Sequence, residues 1–369
     1  MPQADGGKTE KKATLTRELV LHLGDHKTGS TAIQKALADR AWRWQPGSDR
    51  QVSVLYTAVG NHNVLAQSLL GAENLPERHK RLANFAGRMA SSEADIAVLS
   101  AEEFERVDPQ VLHQALQTHF PEHLPTARLI AYVRPHAERL VSSYAERIKQ
   151  GYFQGSLTEF HVRAKTTRLL QYAPRFRKWR AVFGDQFELR PMIRSRLYHT
   201  CVVQDFLHYL LRDAGFELTA KVESNPSLSV ENLAMLRALQ AQLGQGKTPP
   251  HAAQNAVGWH FAEFLTTTCS AGGTRLRPHR TLVADLQTDY HQDAAALDTE
   301  FFQGQPMTEA LEQAMDGAVE APQSIELDAC FSVAELHRIT AWIALLHRMY
   351  LRDHKGWPQH MSHFGRPSN

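Results

Sequence analysis

An apolar strand that runs straight into a glycine turn and then a helix constrains this chain more than any other feature. The stretch is Leu21-His22-Leu23-Gly24-Asp25-His26-Lys27-Thr28-Gly29-Ser30-Thr31, followed by Ile33, Ala36 and Leu37 at one-face helical spacing up to Arg40. The alternation recurs, with apolar strands expected at Ser53–Thr57, Asp95–Leu99, Arg128–Val133 and Phe187–Met192. Helices are expected at Asn63–Leu70, Glu77–Ser91, Ala137–Gln150, Thr166–Arg180 and Tyr198–Leu211. Strands alternating with helices predict an α/β fold, a parallel, doubly wound sheet. The later half reads as helix-rich. Ser229, in Asn225-Pro226-Ser227-Leu228-Ser229, is the expected N-cap of a helix to about Leu243; Gly244–Asn255 reads as a linker and 270–280 as a Gly/Arg loop. Further helices are expected at 281–299, 307–318 and 333–352.

At 369 residues and 43% hydrophobic content the chain can bury a large core. One domain is expected over 18–360, an α/β core to about 215 and a helical part over about 225–355, behind a polar, lysine-rich tail at 1–17 that reads as disordered. Lys+Arg 41 against Asp+Glu 39 leaves a formal +2, so no basic field points to nucleic acid. Cys201, Cys269 and Cys330 are far apart and lack C-x-x-C spacing, which fits a reducing cytoplasm. No apolar run reaches about 18 residues, so no transmembrane helix is expected. His113, His119 and His123 are spaced six and four apart and read as a polar helix end rather than a metal site. The apolar stripe of 333–352 reads as core, with a greasy acceptor or a membrane surface as the other reading.

The opening turn has the makings of a phosphate cradle. N–H groups at a helix start, with the positive end of its dipole, favour an anion. Gly24 and Gly29 let the backbone approach, and Lys27 adds a point charge. In the Walker A pattern the lysine follows the second glycine. Here Lys27 precedes Gly29, so that pattern fails. A second anion site is offered by Tyr132-Val133-Arg134-Pro135-His136-Ala137-Glu138-Arg139-Leu140-Val141-Ser142-Ser143-Tyr144, with Arg134 at a strand tip and Ser142 eight residues on, in the next helix. Guanidinium supplies paired planar donors to phosphate and the hydroxyl a neutral one.

Together, the order Lys27-Thr28-Gly29-Ser30-Thr31 and the pair Arg134 and Ser142 resemble the 5′-phosphosulfate loop and the 3′-phosphate site of sulfotransferases that use 3′-phosphoadenosine 5′-phosphosulfate (PAPS). The resemblance is specific over about 20–155 and looser beyond, where Asn225–Ser229 and Tyr290–Phe302 look like bacterial, cytosolic-type members. It implies a three-layer, P-loop-like α/β sulfotransferase fold, PAPS as co-substrate without a metal, and a sugar, lipid or small-molecule acceptor. Lys27 would then neutralise the departing bridging oxygen, while Thr28 to Thr31 hold the 5′-phosphate and sulfonate. For the general base the family implies a His or Glu: His62 is favoured, Glu102 is second and His26 third. The late loop with Arg275 is the expected second clamp on the nucleotide. A P-loop nucleotide kinase and a catalytically silent nucleotide-binding protein are the competing readings.

Overall fold

The computed structural model describes residues 18–353 apart from 49, 213, 220–226, 245–251 and 269–272, and adds Gly356 and Trp357. The expected tail at 1–17, the Asn225-Pro226 turn, most of the 244–255 linker, Cys269 and Gly272 lie outside the described residues.

The chain runs β1 (Glu18–Leu23), α1 (Ser30–Asp39), β2 (Trp42–Trp44), β3 (Val54–Tyr56), α2 (Asn63–Gln67), α3 (Leu75–Ser91), β4 (Ile96–Ala101), α4 (Pro109–His119), β5 (Arg128–Val133) and α5 (His136–Lys149). It continues with α6 (Leu157–Thr166), α7 (Ala173–Phe183), β6 (Phe187–Pro191), α8 (Val202–Leu211), β7 (Phe216–Leu218), α9 (Val230–Gly244) and α10 (Ala252–Thr268). Last come α11 (Arg280–Phe301), α12 (Pro306–Gln313), α13 (Leu327–Cys330) and α14 (Val333–Arg352). Five strands form one parallel sheet in the order β3-β4-β1-β5-β6, and β2 with β7 makes a small antiparallel ribbon.

The strands are apolar on both faces because both faces are covered. Leu19, Leu21 and Leu23 of β1 point into a large core shared with α3 to α7 and the later helices, whereas Val20 points into a second core built on α1 and α8. Period-two alternation of two apolar sets is what a sheet between helix layers requires. A third cluster, Leu239, Leu243, Val257, Ile343 and Tyr350, joins α9, α10 and α14. No described helix is long and apolar enough to cross a membrane.

The expected helix Thr166–Arg180 begins late: α6 already ends at Thr166, 167–172 are not helical, and α7 starts at Ala173. Arg168 takes φ 55 after α6, and Pro174 sits in the first turn of α7, where its missing N–H costs nothing. The capping box of Ser156 and Glu159 marks the true start of α6. The break has consequences at the site, because it turns Arg175 toward the first loop.

The strand order reverses at β1: the chain goes to β3 and β4 on one side, then to β5 and β6 on the other. Leu23 pairs with both Ala101 and Ala131, so the tips of β1, β4 and β5 are nearly level. Ligand crevices of open α/β sheets lie at this edge, outside the strand ends where the order switches.

Candidate active site

Residues 24–29 leave β1 at that edge. Gly24 donates its N–H to Ala101 O at 3.0 Å, and a Cβ there would meet Ser30 Oγ at 2.8 Å. Gly29 has φ 86, and a Cβ on it would meet Val202 Cγ1 at 2.8 Å, so both positions need glycine. The hydroxyls of Thr28 and Ser30 donate to Asp25 O at 2.6 and 3.4 Å, which folds the loop over itself. Gly29 O accepts the first helical bonds, from Ala32 and Ile33. The amides of Ser30 and Thr31 therefore precede the helical ladder, at the positive end of α1.

The two sequence motifs meet. Arg134 Nη1 donates to Lys27 O at 3.0 Å across 107 residues of chain, and Arg134 Nε donates to Glu138 at 3.1 Å. Lys27 Nζ stands 3.2 Å from Glu146 Oε2. Glu138, Ser142 and Glu146 follow at i, i+4 and i+8 on α5, so Ser142 lies on the helix face between the partners of Arg134 and of Lys27. Its hydroxyl donates to Arg139 O at 3.1 Å. Burial pushes the Glu146 carboxyl up, but Lys27 and Lys149, the latter at 2.7 Å, outweigh it and hold the group ionised below its ordinary range.

Beneath the loop lies an ion cluster that the sequence did not announce. Asp25, 2% exposed, receives Arg175 Nη1 at 2.6 Å and Nη2 at 3.0 Å. Arg139, also 2% exposed, donates to Glu105 at 3.0 and 3.2 Å and stands 3.6 Å from Asp25, an ion-pair distance beyond hydrogen-bond reach. Glu105 also accepts from the N–H of His26 at 3.1 Å and meets its ring at 2.7 Å. Each carboxylate thus has a guanidinium, and the loop is tied to α5 and α7 at its base.

The candidate bases differ in surroundings. His62 is 8% exposed; its Nδ1 accepts the Ser100 N–H at 3.2 Å and its Nε2 meets Thr57 Oγ1 at 3.1 Å. The ring packs edge-on against Tyr56 and Phe85, and burial lowers its pKa to about 4. Both nitrogens are engaged inside the protein. Glu102 follows the tip of β4 and lines a cleft of about 410 Å³ with Thr31, Lys35, Asn61, Asn63 and Trp259. Burial raises its pKa, opposed by His26 and Lys27. His26 is held by Glu105 as described. The structure does not bring Arg275 to this group: its backbone bridges Ser229 and its carbonyl accepts from Gln323 at 3.1 Å, with no hydrogen bond or ion pair to the loop or α5 among the described residues. His119, from the histidine set, meets His79 at 3.0 Å on the protein surface.

Sequence reasoning missed Asp25, Glu105, Arg139, Arg175, Glu146, Lys149 and Trp259. Lys149 Nζ sits 3.2 Å from the centre of the Trp259 ring, which ties α10 to the end of α5 beside the cleft. The i, i+4 run on α5 is a signal for Glu146, and Val257, Phe261, Ala262 and Leu265 at helical spacing are one for α10.

No family model matches the sequence, and no curated protein matches it. Among solved structures, a sulfotransferase from Alicyclobacillus acidocaldarius is similar at 11% identity and a TM-score of 0.35, covering 77% of this chain and 95% of that chain.

Proposed function

We propose that the chain is a PAPS-dependent sulfotransferase, moving sulfonate to a hydroxyl or amine of a sugar, lipid or small-molecule acceptor. One observation carries the reading: the hydrogen bond from Arg134 to the Lys27 carbonyl, which joins the two motifs that would each take a phosphate. A nucleotide phosphorylated at both its 5′ end and its ribose needs two such sites, and the donors at hand suit it. Thr28 to Thr31 with the start of α1 serve the 5′-phosphosulfate; Arg134 and Ser142 serve the 3′-phosphate.

In the transfer, the acceptor atom bonds to sulfur as the bond from sulfur to the 5′-phosphate oxygen breaks, and 3′,5′-ADP leaves. Lys27 neutralises the charge that grows on that oxygen. The acceptor's proton passes to Glu102, which borders the cleft, rather than to His62, whose nitrogens are engaged with Ser100 and Thr57. Glu102 must be ionised to act, so activity rises with pH through its raised pKa. Glu102→Gln should lower the single-turnover rate by about 10²- to 10⁴-fold with 3′,5′-ADP binding kept. His62→Gln should mainly cost stability; the reverse pattern would return the base to His62.

The nucleotide assignment is tested by thermal shift. At a hundredfold excess over Kd a ligand adds about 2.7 kcal/mol. 3′,5′-ADP should stabilise strongly without Mg²⁺, and removal of its 3′-phosphate should abolish most of the effect. A preference for Mg-ATP with indifference to the 3′-phosphate would make the chain a phosphotransferase, and stabilisation without any transfer from labelled PAPS would make it a silent binder.

A further inference from the structure

The last helix has a wide apolar arc, of which the described residues cover one side. Ile339, Ile343, Leu346 and Tyr350 of α14 join the cluster with α9 and α10. On the adjoining flank of the helix Trp342, Leu345 and Met349 are 65%, 47% and 49% exposed. Their spacing of three and four sets them on one strip, so the exposure is contiguous rather than scattered. Arg338 and Arg352 stand at the ends of the strip and Arg348 along its edge, all exposed. The helix has one carboxylate, Glu335, which its capping box ties to Ser332 at the first turn. An apolar strip with a tryptophan and three arginines, whose nearest acids on the helix are Glu335, bound to Ser332 at the first turn, and the cap Asp353, bound to the Gly356 N–H, fits a surface that is greasy below and anionic above.

A second copy of the chain fits poorly. Antiparallel pairing of two such faces about Leu345 would set Arg338 of one copy against Arg352 of the other, and parallel pairing would set each arginine against itself. A lipid interface removes that conflict, because the indole and aliphatic chains enter the acyl boundary while the guanidinium groups remain with the phosphates. We propose that the outer face of α14 docks the protein on an anionic lipid bilayer, lying in the interface.

The test is flotation of the full chain with vesicles of phosphatidylcholine alone or mixed with phosphatidylglycerol. Binding is expected only to the mixed vesicles and should weaken as salt is raised. The triple variant Arg338→Glu/Arg348→Glu/Arg352→Glu should lower partitioning by about 100-fold. Circular dichroism and the melting temperature should stay as in the parent chain, since these side chains are exposed. Trp342→Phe should remove a blue shift in tryptophan emission that the parent shows on the vesicles. Failure to float, equal binding to neutral vesicles, or a blue shift that survives Trp342→Phe overturns the proposal. So does a concentration-dependent dimer that Leu345→Glu dissolves, which gives the face to a second copy.

Discussion

Lys27→Ala is expected to lower sulfonate transfer by about 10³-fold or more while 3′,5′-ADP binding falls far less. A single preorganised donor to a developing oxyanion is worth about 10²–10³ in rate, and a full positive charge on a transferring group about 10³–10⁵. In the proposed role Lys27 supplies such a charge from a loop that the bonds of Thr28 and Ser30 to Asp25 O fold over itself. The substitution should not unfold the protein, because Glu146 keeps Lys149 at 2.7 Å and Gln150 at 2.8 Å when Lys27 is lost. That separates this variant from one that leaves a buried carboxylate alone. Arginine is not a substitute, since a planar fork cannot place its charge as a compact ammonium does. The measurement is single-turnover transfer from labelled PAPS beside calorimetric binding of 3′,5′-ADP. Turnover within about tenfold of the parent would end the proposed role. Loss of rate and nucleotide binding together would instead make Lys27 a binding residue.

What the sequence made legible was local. The strand-turn-helix at 18–39 and the strand tip with its helix at 128–149 are encoded in contiguous residues, glycines and 3.6-residue spacing, and both stand in the structure within a residue or two. The meeting of Lys27 with Arg134 follows from a parallel sheet that places β5 beside β1. What stayed hidden depends on distant partners. Asp25 reads as an ordinary loop acid until Arg175, 150 residues on, is brought to it by the break before Pro174. His62 has the chemistry of a base in the sequence, but its neighbours Ser100 and Thr57 occupy both nitrogens, and only the fold could say so. Arg275 shares a residue type with the site but, among the described residues, bridges Ser229 and makes no hydrogen bond or ion pair to the loop or α5. Trp342 shows the opposite case: the periodicity that suggests a core stripe is equally satisfied by a helix whose apolar arc is wider than the face it packs.

Arg139→Met should be the most destabilising substitution near the site, by about 3–5 kcal/mol, because it leaves buried charge without its counter-charge. Glu105 would keep only His26 and the edge of Arg175, the latter at 3.3 Å, and Asp25 would face a second carboxylate with one guanidinium between them. The backbone of Asp25 holds the hydroxyls of Thr28 and Ser30, so the loop should loosen with the cluster and nucleotide affinity should fall with stability. The sign with pH follows from Glu105. Burial pushes its carboxyl up, but Arg139, His26 and Arg175 outweigh that and hold it well below its ordinary range. A depressed folded pKa contributes stability that is present above the unfolded value of 4.5 and lost as pH falls through the folded one. Arg139→Met relaxes that depression, so parent and variant should differ most near neutral pH and converge as Glu105 protonates in acid. Urea unfolding at neutral pH and at a series of pH values stepping down below 4.5 reads the gap as it closes. The double variant Glu105→Gln/Arg139→Met should recover part of the loss at neutral pH, because it removes the uncompensated carboxylate along with the guanidinium. A gap that is constant with pH, with no recovery in the double variant, would mean that Arg139 acts through packing alone and that the loop is held by its own backbone bonds.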